Sequence, residues 1–136
     1  SGYMIVQYAA ASMVSENKVL AHPASVDSIP SSANQEDMVS MGTTAARKAG
    51  WIVQNTLSVL ADELLTACQG IDIRRRINTH GQGISPVHQK VFERVRQEVG
   101  FYEVDRELWP DIKAMEQLVR SGELLEIVRE TVADFE

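Results

Sequence analysis

Apolar residues along this chain recur at helical spacing, and we find no stretch of useful length that alternates with the two-residue period of a strand. The first helical pattern covers Gly2 to Leu20 and is apolar on nearly every side, which is typical of a buried helix. The second begins near Asp37 or Ser40, either of which could act as its N-cap, and is predicted to end at Gln69, where Gly70 is a stop signal. Ile71 to Arg76 could extend it or begin a new short segment.

Three shorter helices are predicted in the second half of the chain, after a turn over residues 78–83. Ser85 is a suitable N-cap, and Pro86 fits the first helical position. The apolar stripe of this helix repeats every four residues, at Val87, Val91, Val95 and Val99. Pro110 lies near the predicted start of the next helix, and Gly122 separates it from the last one. We therefore predict an all-α fold.

The longest segment without a helical stripe runs from His22 to Gly42. Pro23 and Pro30 are incompatible with a helix interior, and the Ser, Asp and Asn residues between them and after them favour turns. We expect an elongated helical bundle with one long polar loop between two buried helices. Such a loop is where binding or catalytic residues are most often found.

Composition and charge restrict the function further. A chain of 136 residues fits one domain, and its net charge of −6 argues against nucleic acid and gives no reason to expect an anionic membrane as partner. The single cysteine, Cys68, rules out an internal disulfide and suits a reducing compartment. The apolar run from Tyr3 to Val14 is shorter than the roughly 20 residues that span a bilayer, and no signal peptide is recognisable. We therefore expect a cytoplasmic protein.

Several residues that could carry chemistry have a simpler structural interpretation. His22, His80 and His88 are far apart and lack cysteine or carboxylate partners at ligand spacing, so we predict no metal site. His88 is expected on a helix surface and His22 in a loop-ordering role. Cys68 is expected to be a small packed residue. The basic run Arg74 to Arg76 is expected to be solvated or paired with acidic neighbours.

The strongest candidate for a site is the end of the polar loop, Asn34, Gln35 and Glu36. Judged from the residues alone, a Gln-Glu pair near a helix start is more often a capping or solvated pair, because the helix dipole favours carboxylates there. A carboxylate beside an amide can also hold a polar substrate or move a proton.

Four blocks of sequence in and around this loop decide between these interpretations. They are Ser15-Glu16-Asn17-Lys18, Ala21-His22-Pro23-Ala24-Ser25-Val26-Asp27-Ser28, Ser32-Ala33-Asn34-Gln35-Glu36-Asp37 and Val39-Ser40-Met41-Gly42. Together they resemble the C-terminal part of the aromatic amino-acid ammonia-lyase and aminomutase family, on its histidine-deaminating branch. The resemblance is dense to about Arg47 and looser beyond it. It implies that Glu36 is catalytic, holding an imidazole or helping to move a proton, and that Gln35 and Asn34 bind substrate.

The resemblance also implies that residues 1–136 are the C-terminal helical part of a chain several times longer. Members of the family work as homotetramers whose active sites combine several subunits. Their electrophile, a methylidene-imidazolone (MIO), forms from an internal Ala-Ser-Gly, and this tripeptide does not occur here. The tyrosine that they use as a base is also expected outside this segment. We therefore expect the parent enzyme to convert L-histidine to urocanate and the 136-residue chain alone to be inactive.

Two alternatives remain open at this point. A tyrosine or phenylalanine lyase or aminomutase of the same family is suggested by Met38, because the histidine enzymes usually carry histidine at that position. Ser31 argues against it, because the tyrosine and phenylalanine enzymes tend to carry Asn or Glu there. The alternative from another class is a helical interaction module without catalysis.

Overall fold

A computed structural model of the protein describes residues 2–26, 29–77 and 83–135. Within these ranges the chain forms five α-helices, and its β-pairing is limited to one isolated bridge. The helices are α1 (Tyr3–Leu20), α2 (Gly42–Ile77), α3 (Pro86–Glu98), α4 (Trp109–Ser121) and α5 (Glu123–Thr131). The all-α class predicted from the sequence is confirmed.

The chain divides into two compact units. We call residues Ser1–Ala10 together with Leu57–Glu136 the core unit, and residues Ala11–Thr56 the loop unit.

The core unit is built around one cluster of buried hydrophobic side chains. Its members come from α2, α3, the end of α3 and α4: Ala61, Leu65, Cys68, Phe92, Val95, Val99, Met115 and Leu118. Val95 and Val99 of the predicted valine stripe therefore lie in this core, whereas Val87 and Val91 are half-buried. Burial of one such large aliphatic side chain contributes about 1.5–3 kcal/mol, so the cluster is the main source of stability in this unit.

Polar contacts join the α3–α4 connection to α2. The buried Gln69 side chain donates from Nε2 to the carbonyl of Tyr102 (2.8 Å) and accepts from the Tyr102 N–H at Oε1 (3.0 Å). Arg96 donates from Nε to Asp72 Oδ2 at 2.8 Å and from Nη1 to the carbonyl of Val99 at 3.0 Å. These bonds satisfy backbone groups of an irregular segment, which otherwise would have to face water.

Helix ends agree with the sequence where they depend on local chemistry. Ser85 is the N-cap of α3, and its Oγ accepts from the His88 N–H, with Pro86 at the first position. Gly122 ends α4 in the left-handed region, at φ 78°. The predicted stop at Gly70 is wrong, because α2 continues to Ile77, and the alternative that Ile71 to Arg76 extend the helix is confirmed. A glycine in a helix interior costs about 1 kcal/mol, which the packing of Cys68 and Gln69 next to it exceeds.

The sequence predicts that both helices beside the loop are buried, but α1 is largely exposed. Within α1, Val6 is the one buried residue, whereas Ile5, Tyr8 and Val19 are 60%, 61% and 73% exposed. The helix forms where predicted, but the described residues of this chain do not cover its apolar sides. Among those residues, no helix combines the length and the apolar character that a bilayer crossing requires.

Candidate functional site

The polar loop of the loop unit closes into a tight turn at Ser31 to Glu36. The two residues pair across the turn in both directions: Ser31 N–H donates to the Glu36 carbonyl at 2.7 Å, and Glu36 N–H donates to the Ser31 carbonyl at 3.3 Å. Inside the turn, Gln35 N–H donates to the carbonyl of Ser32 at 3.1 Å. We call this segment the 31–36 turn.

Three consecutive residues of the 31–36 turn adopt the left-handed backbone conformation. Their φ angles are 51° at Ser32, 54° at Ala33 and 67° at Asn34. Each non-glycine residue in this region costs about 1–2 kcal/mol, less for asparagine, whose side chain bonds the local backbone. Strained backbone of this kind concentrates at ligand-binding and active sites. The strain is therefore a second, independent reason to place the candidate site here.

The predicted site residues lie next to one another on this turn. Asn34, Gln35 and Glu36 are all exposed. The Glu36 carboxylate accepts a hydrogen bond at Oε2 from the Ser31 hydroxyl, at 3.1 Å. This bond orients the carboxylate with respect to the turn that carries it. The sequence does not predict this contact, since no helical or strand period relates positions 31 and 36.

The first residues of the loop are tied to α2. The Lys48 ammonium group donates to the backbone carbonyl of His22. This contact is made by the main chain of His22, and its side chain is exposed, so a loop-ordering role of the side chain stays a prediction. Met38, which the resemblance marks as unusual, is 89% exposed.

A second polar cluster in the loop unit joins α1 to α2. The side-chain amide of Asn55 donates from Nδ2 to Glu16 Oε2 at 2.7 Å and to Asn17 Oδ1 at 3.0 Å. Asn55 and Glu16 line a cavity of about 340 Å³ together with Leu20, Trp51 and Gln54. We did not identify Asn55 from the sequence. The sequence does contain one indication of it: α1 is mostly apolar but ends in polar residues, and these require a polar partner.

His88, Cys68, Arg75 and Arg76 have the simpler structural surroundings that were predicted for them. His88 is exposed, with Nδ1 2.6 Å from the Ser85 hydroxyl oxygen, and Cys68 is buried, which raises the pKa of its thiol. Arg76 pairs with Glu103 at 3.3 Å, and the Arg75 guanidinium lies 4.5 Å from the centre of the Phe92 ring. His80 lies outside the described residues. Among those described, no group of three or more His, Cys, Asp or Glu side chains could hold a metal ion.

Comparison with known proteins places these features in a family. Residues 1–97 match the model of the aromatic amino acid lyase family. The histidine ammonia-lyase of Caldanaerobacter subterraneus is 55% identical over 130 residues, which cover 96% of this chain and 25% of that protein. The crystal structure of histidine ammonia-lyase from Trypanosoma cruzi matches with a TM-score of 0.88 and 44% identity, covering 98% of this chain and 25% of that one.

Tyrosine aminomutase from Streptomyces globisporus has nearly the same structural similarity at lower sequence identity. Its crystal structure matches with a TM-score of 0.87 and 34% identity, and the match covers 100% of this chain and 25% of that chain. The present chain therefore spans about a quarter of the length of the relatives that it matches.

Proposed function

Because the chain belongs to the aromatic amino acid lyase family, we propose that it is the C-terminal part of a longer ammonia-lyase that converts L-histidine to urocanate. The observation that carries this proposal is the 31–36 turn, which presents Asn34, Gln35 and Glu36 side by side at the end of a left-handed run over residues 32–34. These are the three residues that the family resemblance assigns to catalysis and substrate binding.

The choice of histidine is supported by the relatives. The curated relatives at about half identity carry the name histidine ammonia-lyase. Among solved structures, identity is 44% to a histidine ammonia-lyase and 34% to a tyrosine aminomutase, although the folds match equally well. A tyrosine-specific enzyme is therefore the second candidate, favoured by Met38 in place of the usual histidine.

In the proposed site, Glu36 interacts with the substrate side chain. A carboxylate accepts a hydrogen bond from an imidazole N–H, and the negative charge strengthens that bond. The same group can accept or return a proton when it is close to the reacting atoms. The Ser31 hydroxyl bonds one of its oxygens at 3.1 Å and restricts its rotation.

Gln35 and Asn34 are proposed to orient the substrate. An amide side chain donates and accepts hydrogen bonds at once, so it can bind both an amino and a carboxylate group. The pairing between Ser31 and Glu36 holds both amides on one short turn, which limits the conformational freedom lost when a ligand binds.

The electrophile of the family cannot form from these 136 residues. Its precursor tripeptide Ala-Ser-Gly is absent: the two Ala-Ser pairs, at Ala11 and Ala24, continue with Met13 and Val26. We therefore assign this chain no step on the MIO group. It would supply substrate-binding side chains to a site that other segments complete, in a homotetramer as the resemblance implies. The cytoplasmic location stays a prediction.

The decisive experiment is expression of the complete open reading frame. The purified enzyme should form urocanate from histidine, measured by its ultraviolet absorbance, and should act much less on tyrosine or phenylalanine. The 136-residue chain, purified in parallel, should form none. Preference for tyrosine would favour the second candidate. Urocanate formation by the short chain, or a reading frame without Ala-Ser-Gly, would overturn the proposal.

A further inference from the structure

The core unit contains a buried carboxyl group without a partner. Asp62 on α2 is 3% exposed, and within the described structure neither of its carboxylate oxygens has a hydrogen-bond partner. Buried carboxylates are normally paired with a cation or with several donors, because an isolated buried charge is very unfavourable. The nearby Ser58 hydroxyl does not serve this purpose, since it donates to Glu116 at 2.5 Å.

Asp62 lines an open cavity of about 500 Å³. The first turns of α1 and the middle of α2 form its walls, with the residues Tyr3, Val6, Gln7, Ala10, Val59, Glu63, Thr66 and Ala67. The walls are mostly apolar and small. An apolar stem that ends in a hydrogen-bonding head therefore matches the cavity better than a fully polar or a fully apolar group.

The charges around the cavity indicate which charge the hydrogen-bonding end of a bound group should carry. Burial, together with the Glu116 carboxylate, raises the pKa of Asp62 to about 6, so Asp62 is mainly ionised at neutral pH. Glu63 adds a third carboxylate at the edge of the cavity and is exposed. A cationic head would interact favourably with all three groups, whereas an anion would be repelled.

The surroundings of the cavity favour a polypeptide over a small free ligand. On α1, Met4, Ile5 and Tyr8 stand beside the cavity residues in sequence and are exposed. On the other side of Glu63 and Ala67, a second groove of about 510 Å³ is lined by residues such as Leu60, Leu64 and Leu125. The two cavities share Glu63 and Ala67 in their walls, and adjoining apolar grooves of this size usually mark a protein interface.

We propose that the Asp62 cavity binds an arginine or lysine side chain carried by an apolar segment of the longer polypeptide, outside residues 1–136. The inference rests on the proposed function in one respect, that a longer polypeptide exists, since the matched relatives are about four times the length of this chain. It assigns Asp62 no part in catalysis. Its test therefore measures stability and can succeed or fail whatever the substrate of the enzyme is.

The test compares one substitution in two settings, Asp62→Asn in the 136-residue chain and in the complete enzyme, at pH 7.5. In the short chain, Asp62→Asn removes an unpaired buried charge and should raise the melting temperature. In the complete enzyme it removes one member of a buried ion pair, which is strongly destabilising, and should lower the melting temperature by about 3 °C or more. An unchanged or higher melting temperature in the complete enzyme overturns the proposal.

Glu63→Gln is the matched control, because it removes the same charge from the neighbouring, exposed position. It should change the melting temperature by less than about 1 °C in both settings. An effect as large as that of Asp62→Asn would mean that the general acidity of the surface, and not the buried carboxyl, determines the result, which also overturns the proposal.

Small probes test the preference for a cation directly. N-butylguanidinium reproduces an arginine side chain, and N-butylurea is its neutral analogue. In the short chain, the guanidinium compound should shift the Asp62 carboxyl resonance more than the urea, and the difference should disappear in Asp62→Asn. Equal responses overturn the preference for a cation. A strong response without destabilisation of the complete enzyme by Asp62→Asn indicates a free cationic ligand and overturns the assignment to a polypeptide segment.

Discussion

The core unit and the loop unit obtain their order from different sources. Eight hydrophobic side chains form a buried cluster in the core unit. In the loop unit, by contrast, none of the described residues, 11–26 and 29–56, is buried. Polar contacts contribute to its order, among them the pairing of Ser31 with Glu36, the Lys48 bond to His22, and the bonds of Asn55 to α1. The candidate site thus lies in the unit with the weaker internal support.

This difference has an energetic consequence. A net hydrogen bond contributes about 0.5–1.5 kcal/mol, and one at an exposed position contributes less, whereas a buried aliphatic side chain contributes about 1.5–3 kcal/mol. Sites that bind ligands are commonly built on such weakly stabilised segments, because they must adapt to their ligands. The following experiments test the contrast, beginning with the largest expected effect.

Amide hydrogen exchange in the 136-residue chain should separate the two parts of α2. Amides near Leu65 should exchange on the order of 1,000-fold more slowly than those near Arg47, because the former require opening of the core. Mass spectrometry of peptides from each part measures this ratio. Equal protection along the helix would show that the loop unit has a stability that its exposed side chains do not explain.

Leu65→Ala should destabilise the chain by about 3 kcal/mol or more, through lost burial and the cavity that remains. Leu60→Ala makes the same chemical change on the same helix at an exposed position and should cost less than about 1 kcal/mol. Urea denaturation followed by circular dichroism measures both. Similar losses would contradict the assignment of stability to the core cluster.

The contribution of Asp62 to the stability of the chain should fall as the pH rises from about 4 to about 6. The pKa of Asp62 is raised from 3.8 to about 6 in the folded state, so the folded protein binds the proton more tightly than the unfolded one. The stabilisation that the protonated Asp62 provides is therefore fully present below pH 3.8 and is lost as the pH rises through about 6, by up to about 3 kcal/mol. Because Glu116 also titrates, the difference between wild type and Asp62→Asn isolates this effect. A pH-independent difference would contradict it.

Glu36→Ala in the complete enzyme should reduce turnover about 100-fold or more, equivalent to roughly 2.7 kcal/mol of activation free energy. Its effect on the melting temperature should be small, because Glu36 is exposed. Glu36→Gln retains the size and hydrogen bonding of the side chain and tests the charge. Near-normal turnover in both variants, with a lowered melting temperature, would show that the carboxylate is structural.

Asn55→Ala should give the smallest effect, a loss of about 1 kcal/mol, because it removes two hydrogen bonds between α1 and α2 in the loop unit. The loss should appear as faster exchange of amides in the loop unit, with those near Leu65 unchanged. Faster exchange in the core unit as well would show that the two units unfold together.

The sequence predicts features that depend on neighbouring residues and misses those that depend on distant ones. Ser85 with Pro86 and the glycine at position 122 are local signals, and both helix ends lie where these signals place them. Gly70 is also a local signal, but α2 continues through it, because Gln69 is held by Tyr102, 33 positions away. Helix propensity alone cannot predict a contact of this kind.

The candidate site could be predicted from the sequence only in part. Glu36, Gln35 and Asn34 were identified through resemblance to a family, and their roles stay predictions. The turn that carries them contains three left-handed residues without a glycine, which no propensity scale favours. Asp62 could have been found, because it lies three positions from both Val59 and Leu65 and thus interrupts an apolar helical stripe.

The left-handed backbone of the 31–36 turn divides this loop into positions that are suitable for engineering and positions that are not. At Ser32, Ala33 and Asn34, branched or bulky replacements would disfavour the left-handed backbone, so random libraries there would contain many variants with a destabilised turn. Gln35 and Met38 do not have this constraint, and Met38 is almost fully exposed. Efforts to redirect substrate choice through this segment should therefore diversify positions 35 and 38 and leave 32–34 unchanged.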